Sequence, residues 1–77
     1  MDTQVIDQRI DHYDIVTYWS EIDGAFIAEM PQLAGCMSDG STEVDARNAI
    51  RVIAQEWINR ARYLGREIPE PRQVLAA

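Results

Sequence analysis

Residues 43–64 constrain this chain more than any other stretch. Thr42 is a good N-cap residue, and Asp45 three positions later completes a capping-box-like pair. Glu43 and Asp45 also place negative charge at the positive end of a helix dipole. Apolar residues then recur at Ala46, Ile50, Ile53, Trp57, Ala61 and Leu64, three or four apart, with Ala49 and Val52 widening the stripe. Gly65 follows as a left-handed stop, and Pro69 and Pro71 forbid continuation. The spacing predicts a helix over 43–64, about 33 Å long at 1.5 Å per residue, with Ile50, Ile53, Trp57 and Leu64 buried. Arg47, Arg51, Gln55, Arg62 and Arg66 then fall on its solvent face. Glu43 with Arg47 and Glu56 with Arg60 stand at ion-pair spacing.

What precedes so long a helix in a chain of 77 residues has room only for short elements. Residues 13–19, Tyr-Asp-Ile-Val-Thr-Tyr-Trp, are β-branched and aromatic and predict a strand. Asp14, Val16 and Tyr18 would share one face; Ile15, Thr17 and Trp19 would share the other, more apolar one. Asp23-Gly24 signals a hairpin turn, and 25–30 is the return strand, stopped by Pro31. Cys36-Met37-Ser38 predicts a third short strand closed by a turn at Asp39-Gly40. Residues 1–12 sustain no period and read as a loosely ordered lead-in, and 72–77 as a short tail. The expected layout is α+β: an antiparallel three-stranded sheet in the order β-β-β-α, with the helix across one face. The other face is left for a second subunit or a partner.

A domain of this size buries only ~60% of its unfolded surface, so its core is thin. One cysteine (Cys36) and one histidine (His12) supply neither a disulfide nor a metal cluster. Oligomerisation is the remaining way to stabilise it, so at least a homodimer is expected. The single thiol, an N-terminus without a leader pattern and the short apolar runs point to a cytoplasmic, membrane-free protein. The net charge of −6 is unevenly spread: residues 1–45 hold ten acids and one arginine, whereas 46–77 hold six arginines and three acids. The acidic half would repel phosphates and attract a basic partner, although charge alone is explained more simply as keeping the domain soluble.

Candidate chemistry is sparse. Asp14, Glu29, Asp39 and Asp45 could serve a two-metal nuclease only if several converged; capping and turn roles account for them more simply. Cys36 has no basic neighbour in sequence and reads as a buried apolar thiol. The helix arginines could touch nucleic acid, but a salt-bridged wet face explains them better. No catalytic, cofactor or metal residue is assigned. Asp14, Tyr18, Glu21 and Asp23 are the candidate partner-binding residues.

These landmarks together resemble the N-terminal domain of HicB antitoxins and their short single-domain relatives. The resemblance runs over residues 13–71. It is carried by the Tyr-led first strand, Glu21-Ile22-Asp23-Gly24, Pro31-Gln32-Leu33-Ala34-Gly35-Cys36, Gly40-Ser41-Thr42-Glu43-Val44-Asp45-Ala46 and Gly65-Arg66-Glu67-Ile68-Pro69-Glu70-Pro71. The resemblance implies a partial ribonuclease-H-like fold and binding to a small HicA-type toxin, an mRNA-cleaving ribonuclease. Many members carry a C-terminal DNA-binding domain; no such module occurs up to Ala77, so DNA binding is not expected. An orphan oligomeric domain without a toxin is the alternative expectation, and a weak nucleic-acid-binding protein a remoter one.

Overall fold

A computed structural model describes residues 7–72. Strands β1 (Val16–Ser20), β2 (Ala25–Glu29) and β3 (Met37–Gly40) form an antiparallel sheet in the order β1-β2-β3, and helix α1 (Glu43–Tyr63) packs across it. The α+β architecture and the β-β-β-α order are those read from the sequence.

The hairpin between β1 and β2 closes at Gly24, which adopts φ +60 and donates its N–H to the Ser20 carbonyl. This opposes Tyr18 to Ile27 and Trp19 to Phe26. Pro31 ends β2, and a loop returns the chain so that Met30 N–H donates to the Cys36 carbonyl. In β3, Ser38 stands opposite Ala28 and Asp39 opposite Ile27. The third strand therefore runs through Asp39-Gly40, where a turn was expected. The glycine has a different cause: a Cβ on Gly40 would lie 2.6 Å from the Ala46 nitrogen and 2.8 Å from the Asp45 Cβ. Glycine at the strand end lets the start of α1 sit against the sheet.

Thr42 caps α1, its side chain accepting from the Asp45 N–H at 3.0 Å. The Asp45 carboxylate accepts from Ser41 Oγ rather than from the Thr42 backbone, so half of the capping box forms. At the far end Arg66 N–H reaches the Ala61 carbonyl and Gly65 N–H the Arg62 carbonyl, with Gly65 at φ +70. That is the Schellman arrangement a left-handed stop predicts.

The buried face of α1 keeps Ala46, Ile50 and Ala61 of the expected stripe but is turned from Ile53, Trp57 and Leu64 toward Ala54 and Ile58. Ala46, Ile50, Ala54, Ile58 and Ala61 face the sheet; Ile53 and Trp57 are partly buried at its flank; Leu64 is 45% exposed. Three of the five central positions are alanines because the helix comes close to the sheet. Ile50 and Ile58 fill the space between the alanines, and Trp57 lies at the margin, where its indole N–H donates to the Ala34 carbonyl at 2.9 Å. Ser38 makes the same closeness visible from the other side, its hydroxyl donating to the Ala46 carbonyl at 2.6 Å.

Two further expectations are corrected. Residues 8–12, read as a loose lead-in, form a 3-10 helix (Gln8–His12) whose Ile10 is 1% exposed in the core. One buried isoleucine in one turn offers no period to detect. This turn lies on α1, so Gln55, placed on the solvent face from sequence, is 3% exposed and accepts the Asp7 N–H through Oε1. Nor do Glu43–Arg47 or Glu56–Arg60 close as ion pairs among the described residues. The helix arginines that pair do so with the N-terminal segment: Arg51 with Asp11 at 2.6 Å and Arg62 with Asp7. The chain beyond α1 runs back beside this segment, with the Tyr13 hydroxyl donating to the Pro69 carbonyl at 2.6 Å and Arg72 paired to Asp14 at 2.9 Å. Residues 1–6 of the expected lead-in and 73–77 of the expected tail lie outside the described residues.

Candidate partner-binding face

Side chains alternate across a strand, so the face opposite α1 follows from the register. It carries Val16, Glu29 and Met37 in one row, then Tyr18, Ile27 and Asp39. No described element covers this face. Val16 is 47%, Tyr18 40% and Met37 45% exposed, while Ile27 between Tyr18 and Asp39 is buried. The strands contain no lysine, arginine or histidine. Asp23 from the hairpin joins Met37 and Asp39 around a shallow depression floored by Ile27. Desolvation raises the pKa of the Tyr18 hydroxyl, and the Glu29 carboxylate beside it adds to the shift, so Tyr18 stays a neutral donor at physiological pH. The result is an apolar patch rimmed by three carboxylates. It suits a partner that brings cationic side chains to the rim and apolar ones to the centre.

The four residues singled out from sequence are divided by the structure. Tyr18 and Asp23 belong to this face, Asp23 being fixed by Ser20, whose Oγ donates to its carboxylate at 2.9 Å. Glu21 is exposed in the hairpin loop, beyond the strands. Asp14 lies past the other end of β1, occupied by Arg72 and by the Gln32 amide, which donates to it at 3.1 Å. Glu29, Asp39 and Met37 were missed. Period-two alternation from Ile27 would have found Glu29, but Asp39 was hidden by the turn assigned to Asp39-Gly40.

Of the four carboxylates considered for a nuclease, Glu29 and Asp39 share this face, while Asp14 lies past the end of β1 and Asp45 lies in the first turn of α1. Cys36 is buried at 2% exposure, and burial raises its thiol pKa. Among the described residues, no three of His, Cys, Asp and Glu stand close enough to hold a metal ion, and no helix is long and apolar enough to cross a membrane.

The chain is similar to the UPF0150 protein ssl0259 of Synechocystis sp., with 29% identity over 58 residues that span 75% of this chain and 78% of that protein. No protein-family model matches the chain, and no solved structure matches it.

Proposed function

We propose that this chain is a HicB-like antitoxin domain that binds a HicA-type mRNA-cleaving toxin and neutralises it by steric and electrostatic cover. The observation that carries the reading is the uncovered sheet face, where Val16, Tyr18 and Met37 stand exposed among Asp23, Glu29 and Asp39. A ribonuclease that grips RNA phosphates must present a cationic surface. An apolar patch with a carboxylate rim is the complement of such a surface, and seating it there would bar RNA from the same site. In this reading the sheet and helix are a partial ribonuclease-H-like unit that works in the cytoplasm by binding, with no catalysis of its own. The sequence landmarks from Tyr13 to Pro71 support it. The similarity to the UPF0150 protein of Synechocystis sp. is compatible with it.

The test is to express the basic product of the neighbouring gene with and without this protein, and to follow growth arrest and RNA cleavage. Relief of both, with a stable complex, is the expected result. A neighbour that is absent, unbound or still active in the complex removes the antitoxin reading and leaves an orphan HicB-like domain.

A further inference from the structure

The sheet has two free edges among the described residues, β1 and β3. They are not equally protected. Natural edge strands are blunted by charge, proline, shortness or a bulge. β3 is four residues long and carries Asp39 and Gly40. β1 is Val-Thr-Tyr-Trp-Ser, with no charge, no proline and no glycine. Three of its five residues are large, apolar or aromatic, and exposed: Val16 at 47%, Tyr18 at 40% and Trp19 at 48%. Their side chains alternate, Val16 and Tyr18 to the open face and Trp19 to the helix side, where its ring meets Phe26 edge-on at 5.1 Å. Neither face alone explains this exposure; the edge they share does.

We infer that β1 is the self-association edge, pairing antiparallel with β1 of a second copy across a two-fold axis near Tyr18 to give one six-stranded sheet. Charge selects the occupant. A two-fold copy on the open face would set Asp23, Glu29 and Asp39 against the same three acids, whereas a copy on the β1 edge opposes only neutral residues. The pairing satisfies the free backbone groups of both strands and sets the Trp19 ring near Thr17 of the other copy, extending the helix-side layer. It leaves the acidic face of both copies open on the same side of the joined sheet. The inference does not depend on the antitoxin reading. A five-residue strand pair is small beside the ~1,200 Å² at which standard stable interfaces begin, so the dimer is expected to be weak and concentration-dependent.

The experiment uses the full chain alone. Sedimentation of the wild type across the micromolar range should show conversion from 8.8 kDa to twice that mass. Tyr18→Lys and Tyr18→Asp, each checked for folding by circular dichroism, should each remain monomeric at concentrations where the wild type is dimeric. Their equimolar mixture should regain the dimer, because unlike charges then face each other. Hydrogen exchange on the wild type provides a measurement that needs no variant: amides of 16–20 should slow as concentration rises, and those of β3 should not. A wild type that is monomeric throughout overturns the inference. So does a dimer indifferent to both charges, or a mixture that fails to re-form it. Should the variants not fold, protection confined to β3 or α1 does the same. Protection of 16–20 that appears only with a toxin present also overturns it, and assigns the edge to that partner.

Discussion

At the scale of single residues, Asp7 does more than its place near the N-terminus suggests. Its carboxylate is 9% exposed and is held by Arg9 Nε at 3.1 Å, by the Arg9 backbone N–H at 2.9 Å and by Arg62. These bonds, the Arg9 side chain foremost, hold its pKa below the ordinary aspartate value. A carboxyl with a depressed folded-state pKa binds protons more weakly in the folded than in the unfolded chain. Its contribution is therefore complete above the unfolded value of about 3.9, and is lost as pH falls through the lower folded value. Asp7→Asn should cost about 1.5–3 kcal/mol at pH 7, the range for a hydrogen bond to a charged group. Urea unfolding of both proteins checks it: the difference should persist down to about pH 4 and shrink below it. An equal difference at pH 7 and in strong acid would show that the carboxylate charge contributes nothing. No pattern in the sequence pointed to this clamp: Asp7 caps a single turn with Arg9 two residues on, and Gln55 and Arg62 reach it only through tertiary folding.

Among the elements, what could be read from sequence is what local chemistry decides. The Thr42 cap and the Gly65 stop bracket α1 to within a residue, and Asp23-Gly24 places the hairpin. The faces of β1 were also readable, since Thr17 and Trp19 do turn toward the helix. The facing of α1 was readable only in part. Its stripe held Ala46, Ile50 and Ala61 correctly but followed Ile53, Trp57 and Leu64 between and beyond them, whereas the sheet takes Ala54 and Ile58. The tight contact of Gly40 with the start of α1 belongs to the same geometry. Ile58, omitted from the expected stripe, is 0% exposed, while Leu64 at the helix end is 45% exposed. Ile58→Ala should therefore destabilise by about 2–5 kcal/mol, as buried large-to-small changes do. Leu64→Ala should stay within about 0.5 kcal/mol, as surface changes do. Chemical denaturation of the two variants decides between the stripes; equal losses would restore the one read from sequence.

Over the whole molecule, the uneven charge of the chain becomes a separation in space. The sheet strands carry acids and no bases, while the arginines of 46–66 sit on and after the helix that packs on their opposite face. Arg51 and Arg62 are partly neutralised by Asp11 and Asp7, so the helix side is a mixed surface rather than a cationic one. The open face has no such internal compensation: no described cation pairs with Asp23, Glu29 or Asp39. Its field thus remains available to steer a basic partner. Replacing Glu29 and Asp39 together by lysine turns the rim from three negative charges to one negative and two positive. Folding stability should change by no more than about 0.5 kcal/mol per site, since neither carboxylate makes an ion pair. Association with a HicA-type toxin should slow by tenfold or more, as expected when steering is reversed. The wild-type rate should fall as salt rises past the ~8 Å screening length of physiological ionic strength, whereas the double variant should lose that dependence or invert it. Arg47→Gln with Arg60→Gln, on the helix side, serves as the control and should leave the rate intact. Stopped-flow association at low and high salt reads all three proteins. A double variant that binds as fast as the wild type would move the partner off the sheet face, and a slowed arginine control would move it onto the helix.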